Sequence, residues 1–365
     1  MRASLAGWTE SRFDVAWGEV TGAVGDTVTV LPIVVAVAAL TDLSLSHLLL
    51  GFAVFQVVWG LRYGHPMSVE PMKALAALVI AGGLSTGEYV AAGLLAGVTL
   101  LVVGRTGTLA RLAPYVGEPV VRGIQVGVAL ILLRTGVTTG LAAPSLAALA
   151  VVVALVTVVT GHRDVAALAV LGLGAALAVT AAGTITPRLP TPPLLDPATL
   201  SFSRNAVGAT VGQLAMTVGN AAVATSLLVE EYFDADASPD DLSTSMGVMN
   251  LLAVPLGAMP MCHGSGGVAG KYAFGARTAT SNLVLGGLYL VLAVVAVDAV
   301  AAFPMAVLGV VLVLVAIELG RSGVDTEDPL LTGAVGVTAL LVNVGVAFGV
   351  GIVGYHALKR VRGET

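Results

Sequence analysis

Charge is scarce in this chain. Of its 365 residues only 11% are Asp, Glu, Lys or Arg, where a soluble domain carries nearer a quarter. With 57% hydrophobic residues and a mean hydropathy of +0.96, that scarcity excludes a soluble globular protein and points to a polytopic membrane protein. Membrane segments consume nearly the whole length, so no sizeable soluble domain is expected. Cysteine is almost absent. The single Cys262 excludes an internal disulfide, and Cys262-His263 without further ligands is no metal site. No metal or cofactor is expected. Basic residues are too few for a nucleic-acid surface: the net charge is −5, and the acidity lies in loops, from Glu230-Glu231 to Asp240-Asp241 and from Asp325 to Asp328. The opening residues, with Trp8, Glu10, Arg12, Asp14 and Trp17, are too polar for a signal-peptide core and read as an interfacial lead-in.

What the chain has is apolar runs. They predict fourteen membrane segments, near 19–40, 44–62, 66–83, 87–104, 118–137, 143–160 and 165–183, then 206–229, 242–258, 260–277, 280–298, 303–319, 328–342 and 344–358. The stretch 184–205 separates two halves, 1–183 and 206–365, and its prolines Pro187, Pro190, Pro192, Pro193 and Pro197 predict an extended linker. An odd number of crossings per half makes the halves inverted repeats. With the N-terminus inside, the inner loops hold Arg62, Arg105, Arg111, Arg163, Arg277, Arg321, Lys359, Arg360 and Arg362, and the outer ones little beyond Arg188 and Arg204. That positive-inside bias predicts cytoplasmic termini in the cell membrane.

Short passages recur at one offset. GEVTGAVGD at 18–26 matches GQLAMTVGN at 212–220, an offset of 194 (212 − 18), and Pro66-Met67 matches Pro260-Met261 at the same offset (260 − 66). Weak internal symmetry in an apolar chain marks transporters built from repeats. The third and tenth segments cannot be ordinary spanning helices. Pro71 suits a helix start and biases Glu70 toward extended geometry. From Pro71 to Gly83 a helix would reach roughly 20 Å, against a hydrocarbon core of about 30 Å. The glycines of Gly264-Ser265-Gly266-Gly267, ahead of a helix over 268–277, are tolerable at depth only where backbone is buried or lines a cavity. Two half-helices with N-termini facing near the midplane are expected.

Such termini make an anion site. Lys73, in the first turn of one half-helix, needs a partner at that depth: a bound dianion, or Glu70. Thr29, Ser68 and Ser265 are hydroxyl donors, and Ser265 with the amides of Gly266 and Gly267 forms the strongest local anion nest. Gln213, Thr217 and Asn220 share a face of the eighth segment and suit a cavity wall. The intramembrane carboxylates Asp26, Glu70 and Glu19 are the candidates for carrying a coupling proton; Na⁺ is the other coupling ion considered. The bland readings are internal pairing of Lys73 with Glu70, capping by Asp26, and close helix packing at the glycines. Arg122, Arg134 and Glu318 read as snorkelling or paired anchors.

PMSVEPMKALAA at 66–77 resembles the first motif of the molybdate transporter family, and MPMCHGSGGVAGKYAFGART at 259–278 its second. GAVGDTVTVLP at 22–32 and TVGNAAVAT at 217–225 are similar to its first and eighth segments. The resemblance places the chain beside the SulP sulfate permeases and implies an all-α, seven-plus-seven inverted fold like that of uracil permease. It implies a core of segments 1–4 and 8–11 moving against a gate of 5–7 and 12–14 in an elevator mechanism, a homodimer, and no cytoplasmic STAS domain. Carried onto this chain, the motifs place Met72 beside Lys73 among the substrate-binding residues. Glu70 and Lys271 depart from the family, which usually has Gln at both. The function so implied is secondary active transport of a tetrahedral oxyanion, molybdate or sulfate. The rivals are another anion or a nucleobase on the same fold, a non-transporting sensor, and an intramembrane serine protease using Ser265 with His356 as base.

Overall fold

The computed structural model describes residues 13–183, 186–190 and 197–363. Trp8, Glu10 and Arg12 of the lead-in, and Pro192 and Pro193 of the linker, lie outside the described residues. The first half contains α1 (Trp17–Leu40), α2 (Leu45–Tyr63), β1 (Val69–Pro71), α3 (Lys73–Ile80), α4 (Thr86–Arg105), α5 (Leu109–Val116), α6 (Glu118–Gly140), α7 (Pro144–Val159) and α8 (Ala166–Ala182). The second contains α9 (Arg204–Phe233), α10 (Pro239–Ala253), β2 (Met261–His263), α11 (Ser265–Ala273), α12 (Thr280–Val295), α13 (Val297–Ala301), α14 (Met305–Val324), α15 (Pro329–Leu341) and α16 (Val344–Arg362). Helix or strand occupies each predicted segment. Among the described residues seven helices are long and apolar enough to cross a membrane: α1, α2, α4, α6, α9, α14 and the stretch Arg163–Ala182 that ends in α8.

The ends of these helices follow local chemistry. Ser85 and Glu88 form a capping box at the start of α4, each satisfying an amide that the helix leaves unpaired. Ser238, Asp328 and Asn343 cap α10, α15 and α16 through their side chains. Gly64, at φ 79°, ends α2 in the left-handed conformation that only glycine adopts without cost. The sequence gives no warning of a π-helical stretch inside α9, Thr217–Ala224, nor of the short helices α5 and α13.

The broken segments differ from expectation in detail. Pro71 does not open a helix. It lies in β1, which pairs antiparallel with β2 through Val69↔His263, Glu70↔Cys262 and Pro71↔Met261. The missing amide of Pro71 is no loss at the edge of a two-stranded pair. The helix begins at Lys73 and stops at Ile80, before Gly82 at φ 71°, so α3 is roughly 12 Å long. The glycines at 266 and 267 are not an extended run: α11 starts at Ser265 and contains both. Strands and half-helices repeat at 192 (261 − 69; 265 − 73), two residues short of the 194 at which Pro66-Met67 matches Pro260-Met261. At 192 Glu70 corresponds to Cys262, its own strand partner, as a two-fold axis through the pair requires.

The halves interleave. α1 packs on α11 and α9 on α3; α2 packs on α12 and α4 on α10; α6 packs on α14. Close crossing at the last of these depends on glycine. A Cβ at Gly309 would fall on the backbone of Gly140 and 2.6 Å from the Gly136 oxygen. Gly309→Val should therefore destabilise the protein by about 1–3 kcal/mol through overpacking, read as a lowered melting temperature of the detergent-solubilised protein. An unchanged melt would show that α6 and α14 are free to separate.

Candidate functional site

The strand pair is buried, and so are the polar side chains around it. Asp26 of α1 and Glu70 of β1 are 0% and 2% exposed, and Lys271 of α11 is 0% exposed. A charge at such depth persists only when paired and hydrogen-bonded, and the structure supplies partners. Asp26 accepts from Ser68 Oγ at 2.7 Å and from Gln56 Nε2 at 3.1 Å, and its other contact is Lys271 Nζ at 3.2 Å. Lys271 also donates to Gln56 Oε1, the Met67 carbonyl and Asn282 Oδ1 at 3.0, 2.8 and 3.2 Å. Glu70 has the second pair: Oε2 lies 2.6 Å from Lys73 Nζ, and Oε1 accepts the Gly267 amide at 2.7 Å. Four charges of zero net sum thus meet around the first turns of α3 and α11. Lys73 is the accessible member, at 20% exposure.

Gly267 is the hub of this cluster. A Cβ there would collide with Ser68 Oγ and Asp26 Oδ1 and lie 2.6 Å from Glu70 Oε1. Gly266 beside it is exposed, with nothing within 4 Å of where its Cβ would be. Ser265 Oγ donates to Asn220 Oδ1 at 2.6 Å. Asn220 and Gly219, in the π-helical stretch of α9, line a cavity of about 480 Å³ whose opposite wall carries Glu118, Arg122 and Gln125 of α6. A π-turn shifts the helix face by a residue and is frequent at functional sites.

Other anticipated residues fall into place differently. Gln213 caps the start of α3, accepting from the amides of Ala74 and Leu75 at 2.9 and 3.4 Å, and donates to Thr217 Oγ1 at 3.0 Å. The N-terminus of α3 is therefore capped by a neutral amide, whereas that of α11 is met at Gly267 by the Glu70 carboxylate. Met72 is fully buried as the residue before α3, its amide bonded to the Pro260 carbonyl; its side chain packs in the core instead of facing the open space at Gly266. Thr29 donates to the Asp26 carbonyl of its own helix. Glu19 accepts from the amides of Arg277, Thr278 and Ser281, so it caps the start of α12 and is not brought into the cluster. Arg122 pairs with Glu118 at 2.8 Å, the paired anchor anticipated. His263 uses both ring nitrogens, on the Ser68 carbonyl and Ser245 Oγ. His356 contacts the Tyr115 carbonyl while Ser265 is engaged by Asn220, so the protease pairing is not formed.

The sequence reading missed Gln56, Asn250 and Asn282, and passed over Lys271 as a mere departure. Their signal was available: lone polar residues inside apolar runs face a bundle interior by default. Asn250 donates to the Met261 carbonyl at 2.6 Å and accepts the Met261 amide at 2.8 Å. Asn282 donates to the carbonyl of Gln56 at 2.9 Å and also to that of Met67.

Breaking one member of the fully buried pair should be costly. Lys271→Met should destabilise by about 3–5 kcal/mol because it strands Asp26, while Lys271→Gln combined with Asp26→Asn should recover most of that loss. Denaturant or thermal unfolding of the two variants decides: equal stabilities would mean the pair contributes nothing.

Comparison with known proteins places this geometry. The profile of a family described as "Molybdate transporter of MFS superfamily" matches residues 18–132 and 205–319. Molybdate transporter 2 of Arabidopsis thaliana is 30% identical over 98% of this chain and 91% of its own. Molybdate transporter 1 of Chlamydomonas reinhardtii is 25% identical over 98% and 94%. Among solved structures, the transmembrane domain of the cyanobacterial bicarbonate transporter BicA has a TM-score of 0.69 at 19% identity, covering 92% of this chain and 98% of that one. The murine anion transporter Slc26a9 in the inward-facing state has a TM-score of 0.74 at 13% identity, covering 98% and 70%. These likenesses establish the fold.

Proposed function

The chain belongs to the molybdate transporter family, and we propose that it moves a tetrahedral oxyanion, molybdate or sulfate, across the cell membrane by secondary active transport. It is a multi-pass transporter and not an enzyme. The observation that carries the substrate reading is the convergence of the Lys73 ammonium and the Gly267 amide at the start of α11, beside free space at Gly266, with Ser265 bonded to Asn220 at the cavity wall. An ammonium and a helix N-terminal amide suit an oxyanion; a nucleobase would have less use for the cation. Ser68, Glu70, Lys73, Thr217, Asn220, Ser265, Gly266 and Gly267 form or support this site.

The proposed layout is fourteen segments in two inverted repeats, 1–183 and 206–365, joined by 184–205. It is supported by the way packing pairs come in matched sets: first-half segment 1 on second-half segment 3 and the reverse, 2 on 4 and the reverse, 5 on 5. Residues that the count puts at one end do meet there. Tyr63 bonds Ser245, the Leu109 amide bonds Asp240, and Glu19 bonds Thr278. At the other end Ser203 bonds Glu88 and Arg188 pairs with Asp298. With cytoplasmic termini, the cavity beside Glu118 and Arg122 opens inward. Segments 1–4 and 8–11 would then form a core carrying the site past a gate of 5–7 and 12–14. The coupling proton would reside on Asp26 or Glu70, and a homodimer would fix the gate in the bilayer.

Uptake of labelled molybdate and sulfate into proteoliposomes, each competed with the other, tests the substrate class; failure to accumulate either would end the oxyanion reading. Ser265→Leu should abolish binding in a protein that still inserts and folds. Leucine would fill the space at the start of α11 and remove a donor to the anion, where one charge-assisted hydrogen bond is worth roughly 1.5–3 kcal/mol. Unchanged affinity in the purified variant would displace the site from α11. An inward proton gradient should accelerate wild-type uptake; indifference to it would turn the search to Na⁺.

A further inference from the structure

Resting on the oxyanion reading, we propose that the Glu70 carboxylate is a tethered occupant of the anion position. A divalent oxyanion displaces it only as that carboxylate takes up a proton. The contacts of Glu70 are those a bound oxyanion would want. One oxygen receives a helix N-terminal amide, Gly267 at 2.7 Å, and the other an ammonium, Lys73 at 2.6 Å. The backbone around it is cut to the carboxylate. A Cβ at Gly264 or at Gly267 would run into the Glu70 carboxyl group, so glycine at both positions is what leaves room for that group. Free space begins one residue away, at Gly266, and the ammonium that binds Glu70 is the half-buried Lys73, more accessible than the fully buried Lys271.

The other carboxylates are not free to exchange partners. Asp26 is held by Ser68, Gln56 and Lys271, and Lys271 is fixed in turn by Gln56, Asn282 and the Met67 carbonyl. Glu19 holds three amides at the start of α12. The groups facing Glu70 are Lys73 from α3, Asp26 from α1, Lys271 from α11, Cys262 from β2 and, from α12, the Tyr289 hydroxyl. With Asp26, Glu70, Lys73 and Lys271 all ionised the cluster is neutral. A dianion added to it brings two uncompensated charges into a water-poor site. A proton from the aqueous phase, bound to Glu70, halves that excess. It also frees the Lys73 ammonium and the Gly267 amide for the incoming oxygens. One proton then travels with each dianion.

The test uses the full-length protein in nanodiscs, with molybdate and, separately, sulfate as titrants. Calorimetry between about pH 6.5 and 8.5 should show wild-type affinity falling about tenfold per pH unit, as linkage to one proton requires. Titrations in two buffers of different ionisation enthalpy should show about one proton taken up per anion. Glu70→Gln should bind with no pH slope and no proton uptake, and more tightly than wild type at the alkaline end. A flat wild-type profile, or a variant that keeps the wild-type slope and uptake, overturns the proposal while leaving the oxyanion site standing. Wild-type protein that binds neither anion at any pH overturns both. Should Glu70→Gln fail to fold, the two-buffer measurement on wild type decides alone, with absence of proton uptake counting against the proposal.

Discussion

Everything at the centre of this protein depends on how two interrupted segments satisfy their backbones away from water. In a bilayer an unpaired amide or carbonyl costs several kcal/mol, so non-helical chain survives only inside protein. Here Val69–Pro71 and Met261–His263 pair with each other, and buried side chains take the groups that the ladder leaves over. Gln56 donates to the Val69 carbonyl, Asn282 and Lys271 to Met67, and Asn250 closes both backbone groups of Met261. The interruption is therefore a tertiary construction, assembled from α2, α10, α11 and α12. Because the strands are only three residues long, two half-helices begin within a few ångströms of it, and their first turns meet the buried charges.

The same arrangement explains the pairing of charges. Asp26 and Lys271 sit where no water reaches, and their bond is framed by amides on both sides, which makes them part of the scaffold that holds the strands. Glu70 and Lys73 have fewer ties, and Lys73 is partly exposed. Glu70 and Lys271 carry opposite charges. Each finds its own partner, Lys73 and Asp26, so the cluster is neutral. A carboxylate at Glu70 without a lysine beside it, or Lys271 without Asp26, would leave a bare charge at membrane depth.

Comparison of sequence and structure is instructive at particular residues. The location of both broken segments was legible from Pro66, Pro71, Pro260 and the glycines, because proline and glycine act locally on the backbone. Register was not legible. Pro66-Met67 matches Pro260-Met261 at 194, yet the strands repeat at 192, because the ladder answers to hydrogen bonding across the axis and not to residue identity. Lys73 and Glu70, three apart on one short stretch, could be paired from spacing alone. Lys271 and Asp26 could not, since they are far apart in the chain and meet only once α1 packs on α11. Glu19 shows a partner that spacing does not announce. A carboxylate within an apolar segment invites a functional role, and here the start of α12 happens to lie against it.

The sequence by itself determined that this is a membrane protein, where its apolar segments lie, that two of them are interrupted, and which family motifs they carry. Those properties follow from composition, from period and from residues whose effect on the backbone is local. Tertiary structure decided which polar groups seal the interruption, which side chain caps each half-helix, and which lysine each buried carboxylate pairs with. These are choices between partners distant in the chain, and in a low-dielectric interior the partner fixes whether a charge serves as scaffold or is left able to exchange.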